Sequence, residues 1–354
     1  MIVDGRSGMS RATFVLESLK LQKNLTFIKS LASSYGVKWL YTLKAFDKVE
    51  GLKLISDVFD GFSVGNLYEY QKVKEYSSHI HTYAPAYELA DIQTLAQCSD
   101  TMSFNSLSQY HRYANISHLY TSIGLRINPK LKLKQPSYCD NNVSHLGVDW
   151  ELFLQEVDKL SYLEGLHFHA FCSQDIEAFE MLISHIQQHY KLILKKLKWI
   201  NLGGGLNLTD ESFDVKRFED IVKAFHFKYP NIQIYFEPAS SLLKGCGYLE
   251  CEVVDIIDSS RPTAILNTSI EAHMLDVAIT KQKPKVKGSI SLQQSTYKYR
   301  LAGMSCIAGD IIGDYGFSHP LKIGDRVVFE DMLAYTLVKQ TSFNGIKEAC
   351  FCIR

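Results

Sequence analysis

The feature that most restricts how this chain can fold is a regular alternation along its first two-thirds. Short apolar runs recur at 37–45, 61–65, 80–84, 101–105, 122–128, 165–170, 199–202 and 232–237. Between them lie segments with apolar residues at helical spacing. The clearest is Ile176, Phe179, Ile183, Ile186 and Tyr190, opened by Asp175 as an N-cap. Parallel strands need helical crossovers, so eight such strands predict an α/β fold, a (β/α)8 TIM barrel. After Glu237-Pro238 the pattern changes. Runs at 250–257, 263–266, 325–330 and 335–340 are separated by turns without long helical spacing. They predict an antiparallel β domain, joined by an early strand at 12–16. The expected division is a barrel over 20–242 and a β domain made of 1–19 and 243–354. The 354 residues suit a barrel of roughly 250 residues plus a module of about 100.

Lys and Arg number 38 against 38 Asp and Glu, so the formal net charge is +0. That balance argues against wholesale binding to nucleic acid or an anionic membrane. The opening Met-Ile-Val-Asp-Gly-Arg lacks the apolar core of a secretory leader, and no apolar run reaches a membrane-spanning length. The eight cysteines form no CxxC pair. They read as the thiols of a cytoplasmic protein, with Cys350-Phe-Cys352 as strand thiols rather than a metal grip.

Barrel enzymes place their chemistry at the C-terminal ends of the strands. Lys44 closes the first strand in an apolar setting, which desolvates the amine and suits Schiff-base chemistry, unless it snorkels out of the mouth. His167 and His169 alternate on the sixth strand. They could hold a metal, stack on a planar group or simply pack in the core. Gly203-Gly204-Gly205 ends the seventh strand and can converge backbone amides on a phosphate. Glu237 ends the eighth. Pyridoxal 5'-phosphate needs an amine for its aldehyde, a surface for its ring, amides for its phosphate and a carboxylate for its pyridinium nitrogen. Lys44, His169, Gly203–Gly205 and Glu237 supply them in that order.

With these residues in place the chain resembles the alanine-racemase/ornithine-decarboxylase fold group of pyridoxal phosphate enzymes, and most closely the carboxynorspermidine decarboxylase family. The likeness covers nearly the whole chain. It is carried by Leu43-Lys44-Ala45-Phe46, Phe104-Asn105-Ser106-Leu107, Gly165 to Ala170, Asn201 to Gly205, Glu271-Ala-His-Met274, Cys306 to Tyr315, and Phe343-Asn344-Gly345. The resemblance implies that Lys44 bonds the cofactor, His169 stacks on its ring, Glu237 pairs with its nitrogen, and Tyr335 joins Gly203, Gly204 and Gly205 at its phosphate. It implies a head-to-tail homodimer in which Cys306 and Asp310 reach the opposite subunit's site, with Cys306 handling a proton after CO2 leaves. Asp310, His273, Glu271, Ser240 and Asn267 are the implied substrate-binding residues. No metal is expected.

The family's polyamine substrates are cations held by acids, and three implied acidic positions carry Ser173, Ser240 and Asn267 here. A basic position carries His145, while the segment 129–135 is basic and reads as a solvated loop. The expected reaction is α-decarboxylation of an L-amino acid bearing a 3-amino-3-carboxypropyl tail, of the carboxynorspermidine or carboxyspermidine type. The missing acids leave room for an alternative, a natural-product intermediate with the same tail, as in microcin C-type maturation. More distant alternatives are a metal-dependent barrel hydrolase using His167 and His169, and a silent decarboxylase-like binding protein.

Overall fold

The computed structural model describes residues 11–133 and 143–354; Lys134 and Gln135 of the basic segment, and Cys139, lie outside them. The strands of the described residues are β1 (Thr13–Leu16), β2 (Lys38–Thr42), β3 (Gly61–Val64), β4 (Ile80–Tyr83), β5 (Thr101–Phe104), β6 (Ser122–Asn128), β7 (Val148–Asp149) and β8 (Gly165–Phe168). They continue as β9 (Trp199–Asn201), β10 (Gln233–Phe236), β11 (Gly247–Ile257), β12 (Thr263–Leu266), β13 (Tyr297–Ala302), β14 (Ile311–Phe317), β15 (Arg326–Glu330) and β16 (Cys350–Ile353). The chain divides into two compact units. One is Gln22–Leu242; the other combines the residues up to Leu21 with Leu243–Arg354.

The first unit is a closed barrel of eight parallel strands, β2-β3-β4-β5-β6-β8-β9-β10, with β5 paired to β6 and β10 paired back to β2. The short β7 adds to β6 at the rim. One end of the barrel is filled by bulky side chains. Leu40, Trp199 and Tyr235 form a buried cluster there. Trp199 lies over β6 and β8 where both carry glycine: a Cβ on Gly165 would stand 2.0 Å from the indole, and one on Gly124 2.4 Å. The indole N–H donates to Ser122 Oγ at 2.8 Å.

Outside the barrel, the helix Ile176–His189 buries Phe179, Leu182 and Ile186 among others. The helix Val215–Lys228 buries Phe218, Val222 and Phe225. Phe179 and Phe218 meet at 5.1 Å between ring centroids, and both approach Phe236 of β10. Burial of each such ring contributes about 1.5–3 kcal/mol. Asp175 occupies the N-cap position but makes no capping bond; its carboxylate accepts from Asn207 Nδ2 at 3.1 Å.

The second unit holds a seven-stranded sheet in the order β14-β13-β12-β11-β1-β16, with β15 also pairing β11. The N-terminal strand joins it antiparallel to β11. The sheet is mixed rather than antiparallel, because β1 runs parallel to β16 and β12 parallel to β13. The expected strand at 335–340 is absent: Tyr335 has φ 61° and Leu337–Lys339 forms a 3-10 turn. No helix among the described residues is long and apolar enough to cross a membrane. Cys350 and Cys352 are free thiols on β16, whereas Cys172 is disulfide-bonded, against the expectation of thiols throughout.

Candidate active site

The C-terminal end of the barrel opens into a cavity of about 530 Å³, lined by Lys44, Arg126, His167, His169 and Glu237 among others. Lys44 arrives there on a single 3-10 turn, Leu43–Ala45, that stops β2 with a Phe46 N–H bond to the Leu43 carbonyl at 3.0 Å. Leu43 and Ala45 are buried, so the turn is anchored on both sides of the lysine. The side chain is open to the cavity, yet the protein surrounding that cavity desolvates the amine. Burial lowers its pKa from the ordinary lysine value, the charge of Glu237 works against that shift, and Arg126 reinforces it.

Glu237 is 3% exposed. Asn201 Nδ2 donates to its Oε1 at 2.8 Å, and Thr42 Oγ1 lies 3.4 Å from Oε2. The buried charge is therefore placed by two neighbouring strands. His169 is kept neutral, its pKa driven well below the ordinary value by burial and then by the charges of Lys44 and Arg126. The Gly204 N–H points at its Nδ1 at 3.5 Å, a long contact that assigns the ring proton to Nε2.

The glycine turn leaves no room for side chains. A Cβ on Gly203, Gly204 or Gly205 would stand 2.6, 2.0 or 2.4 Å from a backbone carbonyl oxygen, of Phe168, Glu237 and Phe171 respectively. Gly203 and Gly205 also adopt φ values of 69° and 93°. The Gly203 N–H donates to Asn201 Oδ1 at 2.8 Å, while that of Gly205 meets no acceptor among the described residues.

Two cavity residues, Arg126 and Glu69, and the buried Asn201 beside Glu237 were not singled out from sequence. Arg126 is 5% exposed, holds its guanidinium carbon 4.5 Å from the Tyr83 ring centroid and reaches the His169 carbonyl at 3.5 Å. Its signal was a charge in the middle of an otherwise apolar strand. Glu69 accepts the Gly65 N–H at 2.6 Å, and burial raises its pKa. Asn201 appeared only as the lead residue of a glycine motif. Ser240, after Glu237-Pro238, is exposed on the short helix Ala239–Leu243.

The remaining sequence-derived residues lie in the sheet unit. Cys306 is an exposed free thiol whose N–H donates to Asn344 Oδ1 at 2.9 Å, joining the two motifs found near the C-terminus. Asp310 is 3% exposed, and its carboxylate accepts from Ile270 N at 2.8 Å, Ser305 N at 3.1 Å and Ser305 Oγ at 2.6 Å. His273 sits between Thr268 Oγ1 and the Lys347 carbonyl, both at 3.0 Å, and burial lowers its pKa. Asn267 exchanges bonds with the Glu252 backbone, and Glu271 and Tyr335 are half-buried.

Residues 14–332 match the family model described as "Pyridoxal-dependent decarboxylase, C-terminal sheet domain". The chain belongs to the pyridoxal-dependent decarboxylases. This decarboxylase is 35% identical to a carboxynorspermidine/carboxyspermidine decarboxylase of Campylobacter jejuni, over 94% of the present chain and 90% of the relative. It is 33% identical to a carboxyaminopropylagmatine decarboxylase of Synechocystis, over 98% and 91%. The crystal structure of carboxynorspermidine decarboxylase complexed with norspermidine, from Campylobacter jejuni, superposes with a TM-score of 0.89 at 34% identity, covering 97% of this chain and 93% of that one. The decarboxylase is thus a carbon–carbon lyase acting on a small molecule with pyridoxal phosphate. The site fits that cofactor: the cavity holds a desolvated amine and a buried carboxylate, and against its His169 and Glu237 lies a glycine turn with an amide to spare.

Proposed function

We propose that this decarboxylase removes the α-carboxylate of an L-amino acid carrying a 3-amino-3-carboxypropyl tail and leaves a 3-aminopropyl product. Compounds of the carboxynorspermidine, carboxyspermidine and carboxyaminopropylagmatine type are the substrates. The observation that carries this reading is full-length similarity to two relatives whose named substrates share one chemical unit, a carboxylated aminopropyl group. The cavity chemistry supports it. Ser173 and Ser240 bring no charge, but Glu69, Glu88 and Asp91 line the cavity and suit a cationic ligand.

When bound, pyridoxal phosphate acts as the sink for the electron pair that remains as CO2 departs. Lys44 would hold its aldehyde, His169 would support its ring, and the amides of Gly203–Gly205 with Tyr335 would hold its phosphate. Glu237 would keep its ring nitrogen protonated. Cys306 would handle the proton at the α-carbon, with Asp310, Glu271, His273, Asn267 and Ser240 around the substrate. The working form in this reading is a cytoplasmic head-to-tail homodimer, because Cys306 and Asp310 would serve the partner's site.

The test is CO2 release from the purified enzyme over a panel. The panel holds carboxynorspermidine, carboxyspermidine, carboxyaminopropylagmatine, a nucleotide-linked aminocarboxypropyl compound, lysine and diaminopimelate. Turnover confined to the first three is expected. Preference for any of the last three would overturn the assignment.

A further inference from the structure

Deep in the barrel, the cofactor assignment leaves one group unused. His167 is 1% exposed, and neither ring nitrogen has a hydrogen-bond partner among the described residues. An unmet lone pair in such a position is costly, so a ligand that takes it up from one ring nitrogen is the simplest reading of the site. Its ring meets that of His81 edge-on, with centroids 5.2 Å apart. One nitrogen from each histidine and one Glu237 oxygen lie within 4.8 Å of one another, and all three residues are buried.

We propose that His81, His167 and Glu237 form a site for a zinc-class divalent cation that competes with pyridoxal phosphate for the cofactor-free enzyme. Two histidines and one carboxylate are an established donor set for such ions. A shift of about 1 Å or less per ligand closes the triangle to zinc bond lengths of ~2.0–2.1 Å. Two of the three ligands carry the supporting contacts that a metal site needs. His81 Nδ1 lies 2.8 Å from Thr101 Oγ1, which as acceptor leaves the Nε2 lone pair free; Ser103 Oγ is only a long 3.3 Å contact to it. Asn201 holds the carboxylate from behind at 2.8 Å. Exclusion of the cofactor rests on the reading that Glu237 pairs with its ring nitrogen: one carboxylate cannot serve both.

The experiment uses the full-length chain stripped of pyridoxal phosphate and titrated with Co2+, whose visible absorption reports coordination by nitrogen and oxygen. One equivalent should bind in the wild type. Binding should be lost in His167→Ala and weakened about 10- to 100-fold in Thr101→Val, which removes the hydroxyl that orients His81. Added pyridoxal phosphate should displace the ion, and bound Co2+ should slow recovery of the cofactor's absorbance. Equal Co2+ binding by wild type and His167→Ala would overturn the proposal, as would absence of binding or indifference to pyridoxal phosphate. The substrate panel, run on loaded enzyme without Co2+, reports on the decarboxylase reading separately.

Discussion

Asn201 ties Glu237 to the glycine turn: its Nδ2 donates to Glu237 Oε1 and its Oδ1 accepts the Gly203 N–H, both at 2.8 Å. One fully buried amide thus sets the carboxylate and the start of the glycine turn relative to each other.

Replacing it with leucine leaves both groups without their partner at nearly constant volume. Asn201→Leu should cost about 1–3 kcal/mol of stability per unmet group and weaken pyridoxal phosphate binding at least tenfold. Absorbance titration of the stripped enzyme reads the second effect. Unchanged affinity would show that Glu237 needs no such anchor.

Lys44 is the only amine on which the reading depends. Lys44→Ala should keep the fold, lose the visible absorbance of bound pyridoxal and lose activity by about a thousandfold or more. A colourless variant with wild-type CO2 release would end the cofactor assignment.

Gly204 faces the Glu237 carbonyl, where a Cβ would stand 2.0 Å away. Backbone cannot swing aside, so Gly204→Ala should destabilise the barrel by about 1–3 kcal/mol and reduce cofactor affinity. Gly309→Ala is the control, since its nearest neighbour would lie 3.6 Å off, in ordinary contact. Thermal melts of the two variants should differ in midpoint; equal melts would contradict the packing argument.

Acid should weaken the fold through the buried histidines. Burial pushes the His81 pKa down to about 4, from the 6.5 of an unperturbed histidine. Between those values the unfolded chain binds the proton that the folded chain refuses. Stability therefore rises with pH through this window and is lost as pH falls through it. His81 alone should remove about 2 kcal/mol between pH 7.5 and pH 5. Urea midpoints at the two pH values measure the loss, and His81→Asn should flatten it. A slope unchanged by that substitution would mean other groups carry it.

Much of the barrel was legible because its signal is local. Each barrel strand lies within or nearly within its expected apolar run, and Lys44, His169 and Glu237 fall at strand ends as their spacing implied. The sheet unit was harder to read. Its β13 and β14 contain Lys298, Arg300 and Asp314, so polar residues broke the apolar pattern, and nothing local specifies that β1 meets β16 in parallel. The loss of charge inferred at Asn267 also changed meaning, since that side chain is engaged with the Glu252 backbone. Asp310, read as a substrate contact, has both carboxylate oxygens bonded within its own unit.

The order of elements and the residue types able to bind pyridoxal phosphate follow from the sequence alone, because hydrophobic period and strand-end position are properties of neighbouring residues. Only the tertiary structure decided which polar groups share one desolvated space. Burial, hydrogen bonding and charge act through distance rather than along the chain. That is why the lone nitrogens of His167, the anchored carboxylate of Glu237 and the guanidinium of Arg126 emerge only once the barrel is closed.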